Sequence, residues 1–551
     1  MRRFAILLTV FAAAPLAICQ DRIEVRGPQL LTMKELVALS DTAAPVGKLR
    51  RKREALLRTP FVGLQNEGST PRRPVVESLG PVLRVAAWNI QTGTEFDLIR
   101  LAFTDPGRLA RVVAKLNAAA PGEDRADPKD LAGFRPQANH LMQSDVVLLN
   151  EVDLGMPRSG YRNIARDLAL ATGMNYAYGI EFIEVDKIHL GLEQVRAPGE
   201  EDEDPEEFAK RHAVDKSRYK GLHGTAILSR YPIVRATNVR LKNCYDWYGK
   251  EKYYINNPVE KGRRRTAAAA FLERVGREVR HGNRFALIAD LAVPESPTGK
   301  VTVVAAHLEN KCRPGCRREQ MEELLTHLRR VRNPLILGGD LNTTGTDVAP
   351  TSITREIRKR VRNPNFWATQ GIQWFSPLAF GSVMLGSVNY VKNYRDPTAA
   401  SIPLIAVNRD SRLFDRVEDF RFADGGSFDF SGHPGRSANG RDGSLANSNE
   451  RASKGFKPTF EFKRDYKGLL GQMRLDWLFV KPAVNARRPP FQFAPWYGRT
   501  LEHLNESTPE QMSDHHPITV DLPLRTDPVR KGVPAVSHRD ARASALRENY
   551  K

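Results

Sequence analysis

From Leu83 onward, short runs rich in β-branched and aromatic residues alternate with turns and helical stretches, which predicts a scaffold of β-sheet with helices between the strands. Several runs end on a polar residue. Core strands that each deliver one acid, amide or imidazole predict a rigid polar cleft. The polar tips are Asn89, Glu151, His307, Asp340 and Asn342. The runs are LRVAAWNI (83–90), DVVLLNEV (145–152), YAYGIEFI (176–183), TAILSRYPI (225–233), RFALIADL (284–291), VTVVAAHL (301–308), PLILGGDL (334–341), LDWLFV (475–480) and PITVDL (517–522).

One segment between these runs has the pattern of an amphipathic helix, from Arg317 to Val331. Its apolar residues recur at the spacing that places them on a single helical face. We therefore expect this helix to pack against the sheet scaffold through that face. The face consists of Met321, Leu324, Leu325, Leu328 and Val331.

Two segments flank the scaffold. Residues 20–80 are predicted to form an N-terminal preamble, with helical composition from Leu30 to Leu57 and a proline-containing linker at residues 70–74. At the other end, residues 525–551 are basic and poor in apolar side chains, so we expect a disordered tail. The main domain is therefore predicted to span residues 83–524.

A long insertion, at about residues 343–473, interrupts the main domain before LDWLFV. Residues 427–453 are rich in Gly, Ser and Asn, a composition that predicts a flexible surface loop. The apolar stretch WFSPLAFGSVMLGSV (374–388) predicts either a buried segment or a loop that contacts lipid peripherally. Elsewhere in the chain, the acidic stretch PGEEDEDPEEF (198–208) is interpreted as a solvated loop.

The first residues have the pattern of an export signal. Two arginines precede an apolar run from Phe4 to Ala14, and AIC (17–19) offers small residues for cleavage. Residues 1–19 are therefore predicted to be a signal peptide, and the mature chain to be secreted or periplasmic. A lipoprotein acylated at Cys19 is the alternative, although Ile18 is bulky for that motif. No other stretch predicts a transmembrane helix.

The cysteines can be interpreted in the light of export. An oxidising compartment allows disulfides to form, and Cys312 and Cys316 bracket a short Arg-Pro-Gly turn. The sequence therefore allows a small disulfide loop between these two residues, which would leave Cys244 as a free thiol, and it leaves open whether the two are bridged. The neighbouring residues supply too few Cys and His ligands for a zinc site.

The charge of the chain is strongly positive. Its 551 residues include 84 Lys+Arg against 64 Asp+Glu, a formal net charge of +20. Such a charge favours nucleic acid, anionic lipid surfaces or phosphorylated solutes as partners. The clusters KGRRR (261–265) and REIRKRVR (355–362) are candidates to line a binding groove, or are dispersed solvated charge. A basic exported protein without a polyanionic partner is the alternative interpretation.

The polar tips offer groups for metal binding and for work on phosphate. Glu151 is a hard oxygen ligand suited to Mg²⁺, and Asn89 could hold a metal-bound water or a phosphate oxygen. In LGGDLNTTG, Asp340 can orient or deprotonate water, and Asn342 can hold water or a non-bridging phosphate oxygen.

Two histidines add imidazoles that titrate near neutral pH. His307 ends one of the runs, and His515 lies in SDHHP (513–517) just before the last run. Asp476, at the start of LDWLFV, could fix the tautomer of one of these histidines. Taken singly, each of these residues is also typical of a structural turn or cap.

As an ordered set, the motifs resemble the endonuclease/exonuclease/phosphatase superfamily, which includes deoxyribonuclease I-like enzymes. The resemblance implies a four-layer α/β-sandwich, with two packed mixed β-sheets and outer helices, in an exported bacterial-type member. It also implies Mg²⁺-dependent cleavage of a phosphoester, with Mn²⁺ or Ca²⁺ as possible substitutes. The long insertion matches no branch of the superfamily. The motifs, in the order of the family, are WNIQTG, NEVD, GTAILSRYPI, AAHL, GGDLN, RLDWLF and SDHHPI.

The resemblance also implies roles for individual residues. Glu151 matches the metal-binding glutamate, and Asn89 matches the amide near metal and phosphate. Asp340 and Asn342 match the pair that positions water and phosphate, and His307 matches a histidine of the deoxyribonuclease-like and sphingomyelinase-like branches.

The remaining matches lie near the end of the chain. Asp476 matches the aspartate that pairs with the final histidine, and Asp514 and His515 match the closing pair, an acid near the metal and an imidazole at the phosphate. His516 is expected to be only a neighbour of this pair.

Three functions are compatible with these observations. The leading hypothesis is an exported Mg²⁺-dependent phosphodiesterase that hydrolyses nucleic acid by in-line attack of water, since basic proteins gain affinity by neutralising backbone phosphates. A sphingomyelinase- or phospholipase C-like enzyme, or an inositol-phosphate phosphatase, is the enzymatic alternative. The non-enzymatic alternative is an inactive module that binds nucleic acid or lipid.

Overall fold

The computed structural model describes residues 23–120, 125–186, 190, 214–256, 278–343, 398, 408–453, 455–461, 472–484, 492–509 and 511–525. Several sequence predictions fall on residues outside these ranges. They are the signal peptide at 1–19, the acidic loop at 198–208, the basic clusters at 261–265 and 355–362, the apolar stretch at 374–388 and the tail beyond residue 525. Among the described residues, no helix is both long and apolar enough to cross a membrane.

The described elements alternate between strands and helices along the chain. The helices are α1 (Met33–Asp41), α2 (Gly47–Arg58), α3 (Phe96–Thr104), α4 (Pro106–Ala119), α5 (Pro128–Met142), α6 (Ile164–Thr172), α7 (Gly249–Asn256), α8 (Pro314–Leu328), α9 (Ser411–Asp419) and α10 (His503–Glu506). The strands are β1 (Ile23–Arg26), β2 (Phe61–Gln65), β3 (Val75–Val76), β4 (Gly80–Asn89), β5 (Val146–Leu154), β6 (Asn175–Glu184), β7 (Leu222–Ser229), β8 (Ile233–Arg240), β9 (Arg280–Gly282), β10 (Phe285–Ala292), β11 (Lys300–Ala306), β12 (Leu335–Asp340), β13 (Phe460–Glu461), β14 (Gln472–Met473), β15 (Asp476–Lys481), β16 (Trp496–Thr500) and β17 (Ile518–Pro523).

Most strands form two mixed sheets. The first has the order β1-β2-β6-β7-β5-β4-β17-β16, with β3 beside β4 and β9 beside β6, and only β4 and β5 run parallel. The second has the order β15-β12-β11-β10-β8, and only β11 and β12 run parallel. A parallel pair needs a crossover, and α8 supplies the crossover between β11 and β12. Strands β13 and β14 form a separate two-stranded ribbon.

The alternation of side chains along β4 shows how the layers are built. Val85 and Ala87 face the second sheet and join the core between the sheets, whereas Ala86 and Trp88 face the helices that cover the first sheet. A third apolar cluster packs α8 and α9 on the outer face of the second sheet. Because strands buried on both faces need mostly apolar residues, β4 is apolar along most of its length, and its one charged residue, Arg84, is buried in an ion pair with Asp521 at 2.7 Å. The predicted four-layer sandwich is confirmed.

The predicted amphipathic helix forms as α8. It begins three residues earlier than the pattern predicts, because Pro314 is favourable at the first helical position. It also ends three residues earlier, at Leu328. Its predicted apolar face is buried in the outer core of the second sheet, with Val331 packed against the same cluster beyond the end of the helix.

The N-terminal preamble is part of the first sheet. β2 pairs with β6, with Val62 opposite Ala177, and β1 extends the sheet beyond β2. The predicted helical stretch forms two helices, α1 and α2, whose Leu36, Leu39 and Leu56 are fully buried. The preamble therefore supplies an edge of the sheet and part of the core.

The prediction of a flexible surface loop at residues 427–453 is wrong. Phe428, Phe430 and Leu445 pack in the outer core of the second sheet, although the segment has little regular structure. Its polar side chains make hydrogen bonds to buried main-chain groups. Asn449 Oδ1 accepts the main-chain N–H of Leu478, and its Nδ2 donates to the Leu478 carbonyl. Composition alone does not distinguish amides that are solvated from amides that satisfy buried backbone.

The disulfide that the sequence allows between Cys312 and Cys316 is not the one formed, because Cys244 pairs with Cys316 and leaves Cys312 free. Strands β8 and β11 both pair antiparallel with β10, so their carboxyl ends lie at the same edge of the sheet. Cys244 follows β8, and Cys316 lies in the first turn of α8, which follows β11. Cys312 precedes that helix, and its thiol donates to the Glu309 carbonyl at 3.4 Å.

The disulfide gives a prediction about stability. It links residues separated by 72 positions, and closing a loop of that size restricts the unfolded chain far more than a four-residue loop. We expect Cys316→Ser to lower the free energy of unfolding by about 2–4 kcal/mol. Denaturant unfolding measures this change, with Cys312→Ser as the matched control. Equal stabilities, or peptide mapping that links Cys312 to Cys316, would contradict the assignment.

Candidate active site

Most of the predicted site residues lie together at one end of the two sheets. Asn89 ends β4, Asp340 ends β12, and His307 directly follows β11. Glu151 lies in β5 at a β-bulge, and His515 lies shortly before β17. Asn89, His307, Asp340 and His515 are buried, whereas Glu151 is partly exposed, so the cleft opens to solvent beside Glu151.

The side-chain amide of Asn89 joins polar groups of both sheets. Its Nδ2 lies 3.1 Å from Oε1 of Glu151 and 3.1 Å from Oδ2 of Asp340. The same nitrogen lies 3.5 Å from Nε2 of His515. The N–H of Gln91 donates to Asn89 Oδ1 at 3.1 Å, which fixes the orientation of the amide. Asn89 thus brings a carboxylate of the first sheet and a carboxylate of the second sheet to one position.

Two site residues have a left-handed backbone although neither is glycine, with φ of +55° at Glu151 and +49° at Asn342. Such conformations cost about 1–3 kcal/mol each and persist where surrounding contacts fix them. At Glu151, the β-bulge turns the side chain out of the regular alternation of β5. At Asn342, the main-chain N–H donates to Asp340 Oδ1 at 2.9 Å, and Nδ2 donates to the Leu308 carbonyl at 3.0 Å.

His515 is held in place by main-chain and side-chain contacts. Ser513 Oγ accepts the N–H of His515 at 3.1 Å and donates to the carbonyl of Asn89 at 2.6 Å. Asp476 Oδ2 lies 2.7 Å from Nδ1 of His515, which leaves Nε2 directed at the cleft, 3.8 Å from Asp340 Oδ2. Burial lowers the pKa of His515, but the charges of Asp476 and Asp340 outweigh it and raise the pKa to about 10.

His307 has a second carboxylate partner. Its Nδ1 lies 3.3 Å from Glu181 Oε2, and its Nε2 lies 3.6 Å from Asp340 Oδ2. Arg284 donates to Glu181 Oε1 at 2.5 Å. Although burial favours the neutral acid, Arg284 and His307 hold the pKa of Glu181 well below its ordinary value. Burial raises the pKa of Asp340, and the charge of Asp476 raises it further. The charges of His515 and His307 lower this pKa but do not cancel the rise. Asp340 is therefore flanked by two imidazoles. Asp476 orients the imidazole of His515, and Arg284 Nη1 lies 2.9 Å from Nδ1 of His307.

Three residues that build this arrangement were not predicted from the sequence. Glu181 is a charged residue inside the apolar run YAYGIEFI, and Arg284 begins the run RFALIADL, so both interrupt an apolar pattern and could have been singled out on that ground. Asn150 precedes Glu151 and has no such signal of its own. Its Oδ1 accepts the N–H of Asp340 at 2.9 Å, a contact that only the packing of the two sheets creates.

The donor groups of the cleft fit a divalent cation. Glu151, His307 and Asp340 each offer a ligand atom, and these atoms all lie within 4.8 Å of one another. Mg²⁺ is usually bound through one or two carboxylates, and the carboxylates of Glu151 and Asp340 meet that requirement. An imidazole beside them is a donor that Mn²⁺ or Zn²⁺ also accepts, so the donor set leaves the identity of the metal open.

Two residues of SDHHP lie at the edge of this arrangement. Asp514 is partly exposed, its N–H donates to Gln91 Oε1 at 3.0 Å, and its charge contributes to the raised pKa of His515. Its assignment as a metal ligand stays a prediction. His516 Nε2 lies 3.6 Å from Glu461 Oε2, and its Nδ1 lies 3.3 Å from Asn505 Nδ2. His516 therefore contacts a different set of side chains from His515.

Comparisons with known proteins were made for both sequence and structure. The model of the Endonuclease/Exonuclease/phosphatase family matches residues 86–515. A comparison with curated protein sequences gives no significant match.

Three solved structures are among those to which the chain is similar. An endonuclease/exonuclease/phosphatase from Beutenbergia cavernae is 20% identical, with 82% of this chain and 73% of that chain covered and a TM-score of 0.33. The 3′ phosphatase NExo from Neisseria, bound to a product DNA hairpin, is 14% identical, with 80% and 99% covered and a TM-score of 0.33. Beta toxin from Staphylococcus aureus is 12% identical, with 80% and 99% covered and a TM-score of 0.31.

The fold and the matched sequence define a phosphoester hydrolase. The chain belongs to the endonuclease/exonuclease/phosphatase family, a family of metal-dependent phosphoesterases, since the family match covers most of its length. The predicted family and the predicted enzyme class are confirmed.

The two adjacent histidines give a prediction about activity. Only His515 faces Asp340, so we expect His515→Ala to lower kcat/KM at least a hundredfold, within the range of about 10²–10⁴ that general acid–base groups contribute. His516→Ala should lose much less. Asp476→Asn should give a partial loss, because the amide no longer stabilises the charged imidazole of His515. Steady-state kinetics with the melting temperature as a folding control tests this. Equal losses in the two correctly folded alanine variants would contradict it.

Proposed function

We propose that the protein is an exported phosphodiesterase that hydrolyses nucleic acid with the help of Mg²⁺. The observation that supports this most is the position of Asp340, which lies between His307 and His515 and shares the amide of Asn89 with Glu151. This arrangement offers an acid, a base and anion-binding donors around one point, as in-line attack on phosphorus requires.

Each side chain has a role in this proposal. Asp340 would orient the attacking water and accept its proton. The negative charges of Asp476 and Asp340 keep His515 protonated. His515 would therefore donate from Nε2 to a phosphate oxygen on which negative charge develops. Asp476 would hold His515 in that orientation. Asn89 would help to bind the phosphate, although both hydrogens of its amide already face Glu151 and Asp340.

Three further residues complete the proposed site. His307, which lies between Arg284 and Glu181, would add a second imidazole at the phosphate. Asn342 would help to bind substrate, although one hydrogen of its amide is already bonded to Leu308. Asp514 would act beside the cation at the open edge of the cleft.

Glu151, with Asp340 and Asn89 beside it, would hold the cation. When bound there, Mg²⁺ would supply positive charge against the negative charge that develops on phosphate. Mn²⁺ or Ca²⁺ could substitute, because both also accept oxygen ligands.

Two observations support the substrate and the location. A net charge of +20 favours a polyanionic substrate over a lipid with a single phosphate. The Cys244–Cys316 disulfide favours an oxidising compartment, in agreement with the export pattern of the first residues, and thus a secreted or periplasmic protein. Sphingomyelinase-like and inositol-phosphatase-like activities are the alternatives that the substrate test distinguishes.

Hydrolysis of a substrate panel tests this proposal. Purified protein with Mg²⁺ should cleave duplex DNA or RNA and leave sphingomyelin and inositol phosphates largely intact, and chelation with EDTA should abolish turnover. Glu151→Gln, which removes a ligand charge while keeping the shape, should require far more Mg²⁺ and lose at least a hundredfold in turnover. Glu67→Gln on the exposed surface is the matched control. Preferential cleavage of sphingomyelin, or full activity of Glu151→Gln across a Mg²⁺ titration, would overturn it.

A further inference from the structure

Four arginines line a cavity outside the cleft described above. The cavity has a volume of about 380 Å³, and it is lined by the start of α8, by the start of α9 and by the residue before α9 at position 409. We refer to it as the arginine cavity. Its lining residues are Arg313, Pro314, Gly315, Arg318, Arg409 and Arg412.

The topology places the arginine cavity at the same end of the second sheet as the cleft. Strands β11 and β12 are parallel, and α8 crosses between them, so α8 begins at the sheet edge where His307 and Asp340 lie. Arg313 follows His307 by six residues, and six residues reach at most about 20 Å even when fully extended. A ligand of moderate length could therefore occupy both positions at once.

Buried contacts hold the two arginine-bearing segments together. Arg317 donates to Asp410 at 2.9 Å, and both side chains are only 2% exposed. Arg317 also donates to the carbonyl of Cys312 at 3.3 Å, and the Cys244–Cys316 disulfide anchors the first turn of α8. Because breaking a buried ion pair is costly, the two segments that carry the arginines are held together before any ligand binds.

The charge of the arginine cavity is poorly balanced. Arg318 lies 3.6 Å from Glu322, which also pairs with Arg416 at 2.9 Å. Within the described part of the chain, Arg313, Arg409 and Arg412 make no ion pair closer than 4.0 Å, although Asp415 senses the charge of Arg412. The positive end of the α8 dipole adds to this charge, since no side chain caps the N-terminus of the helix.

We propose that the arginine cavity binds a non-scissile phosphate of the same polynucleotide whose scissile phosphate lies at Asp340 and His515. This inference rests on the proposed function and specifies its substrate as a chain with several phosphates. One guanidinium group can donate two parallel hydrogen bonds to two oxygens of the same phosphate. Each strand of a duplex carries a phosphate about every 3.4 Å along the axis. Within about 20 Å, several phosphates of one strand are available, whereas a lipid with one phosphate cannot occupy both positions.

A pair of double variants tests the inference. Arg409→Gln/Arg412→Gln removes two charges from the arginine cavity, and Arg50→Gln/Arg51→Gln removes two exposed charges from α2 as the matched control. The four substituted arginines are all exposed, so we expect both double variants to fold. Their melting temperatures check this. The substrates are an oligonucleotide long enough to span about 20 Å and bis(p-nitrophenyl) phosphate, which has a single phosphate.

We expect the cavity variant to raise KM for the oligonucleotide about tenfold, with kcat little changed. The slope of log KM against log salt concentration should flatten, for each phosphate that the variant no longer neutralises, by about 0.7 on a single-stranded oligonucleotide and by about 0.9 on a duplex. The decrease in kcat/KM should be about tenfold greater on the oligonucleotide than on bis(p-nitrophenyl) phosphate. The control variant should show no such difference between the two substrates.

The outcomes separate this inference from the proposed function. If both double variants cleave the oligonucleotide with equal KM, the arginine cavity does not bind a phosphate of the substrate, whereas the proposed function still holds. If the wild-type protein cleaves no oligonucleotide, the function fails, and fluorescence anisotropy of the same oligonucleotide decides the inference. Weaker binding by the cavity variant alone would then support it, and equal binding by both variants, or loss of binding only to anionic vesicles, would overturn it.

Discussion

The side chain of Asn150 ties the two sheets together beneath the cleft, and the site depends on that contact. Its Oδ1 accepts the N–H of Asp340, and its Nδ2 donates to the carbonyl of Ala306 at 3.3 Å and to Oγ1 of Thr225 at 3.2 Å. Thus one fully buried amide of β5 is bonded to both parallel strands of the second sheet. Loss of such an amide would leave buried main-chain groups without partners, which costs about 1–3 kcal/mol for each group.

A close approach of backbones accompanies this tie. Gly339 has φ of +131°, and a Cβ atom there would lie 2.1 Å from the Ala306 carbonyl and 2.7 Å from Asn150 Oδ1. Only glycine allows the end of β12 to come this near to β11 and β5. The neighbouring residues are then the carboxylates of the site, because Glu151 follows Asn150 and Asp340 follows Gly339. The residues that pack the two sheets together are therefore adjacent in sequence to the residues that form the cleft.

Part of this site is predictable from sequence, because some of its signals are local. Asn89, His307 and Asp340 are polar residues at the ends of apolar strands, and the β-bulge at Glu151 keeps its side chain at the same cleft. Asn150 is not predictable in this way, since it lies within a strand and acquires its partners only when distant strands pack. Glu181 stands out as a charge within an apolar run, but its contacts with Arg284 and His307 also arise only from that packing. The disulfide has the same origin, because Cys316 pairs across the sheet edge with Cys244 rather than with its neighbour in sequence.

The most direct test of this account is a crystal structure of the protein grown with Mn²⁺, which can be located by its anomalous scattering. The account predicts a peak in contact with the carboxylates of Glu151 and Asp340, beside the amide of Asn89. A second group of side chains, Glu461, Glu506 and His516, also offers ligand atoms within 4.8 Å of one another. A peak confined to that second group, with none between Glu151 and Asp340, would contradict the claim that the two sheets build the site around a metal.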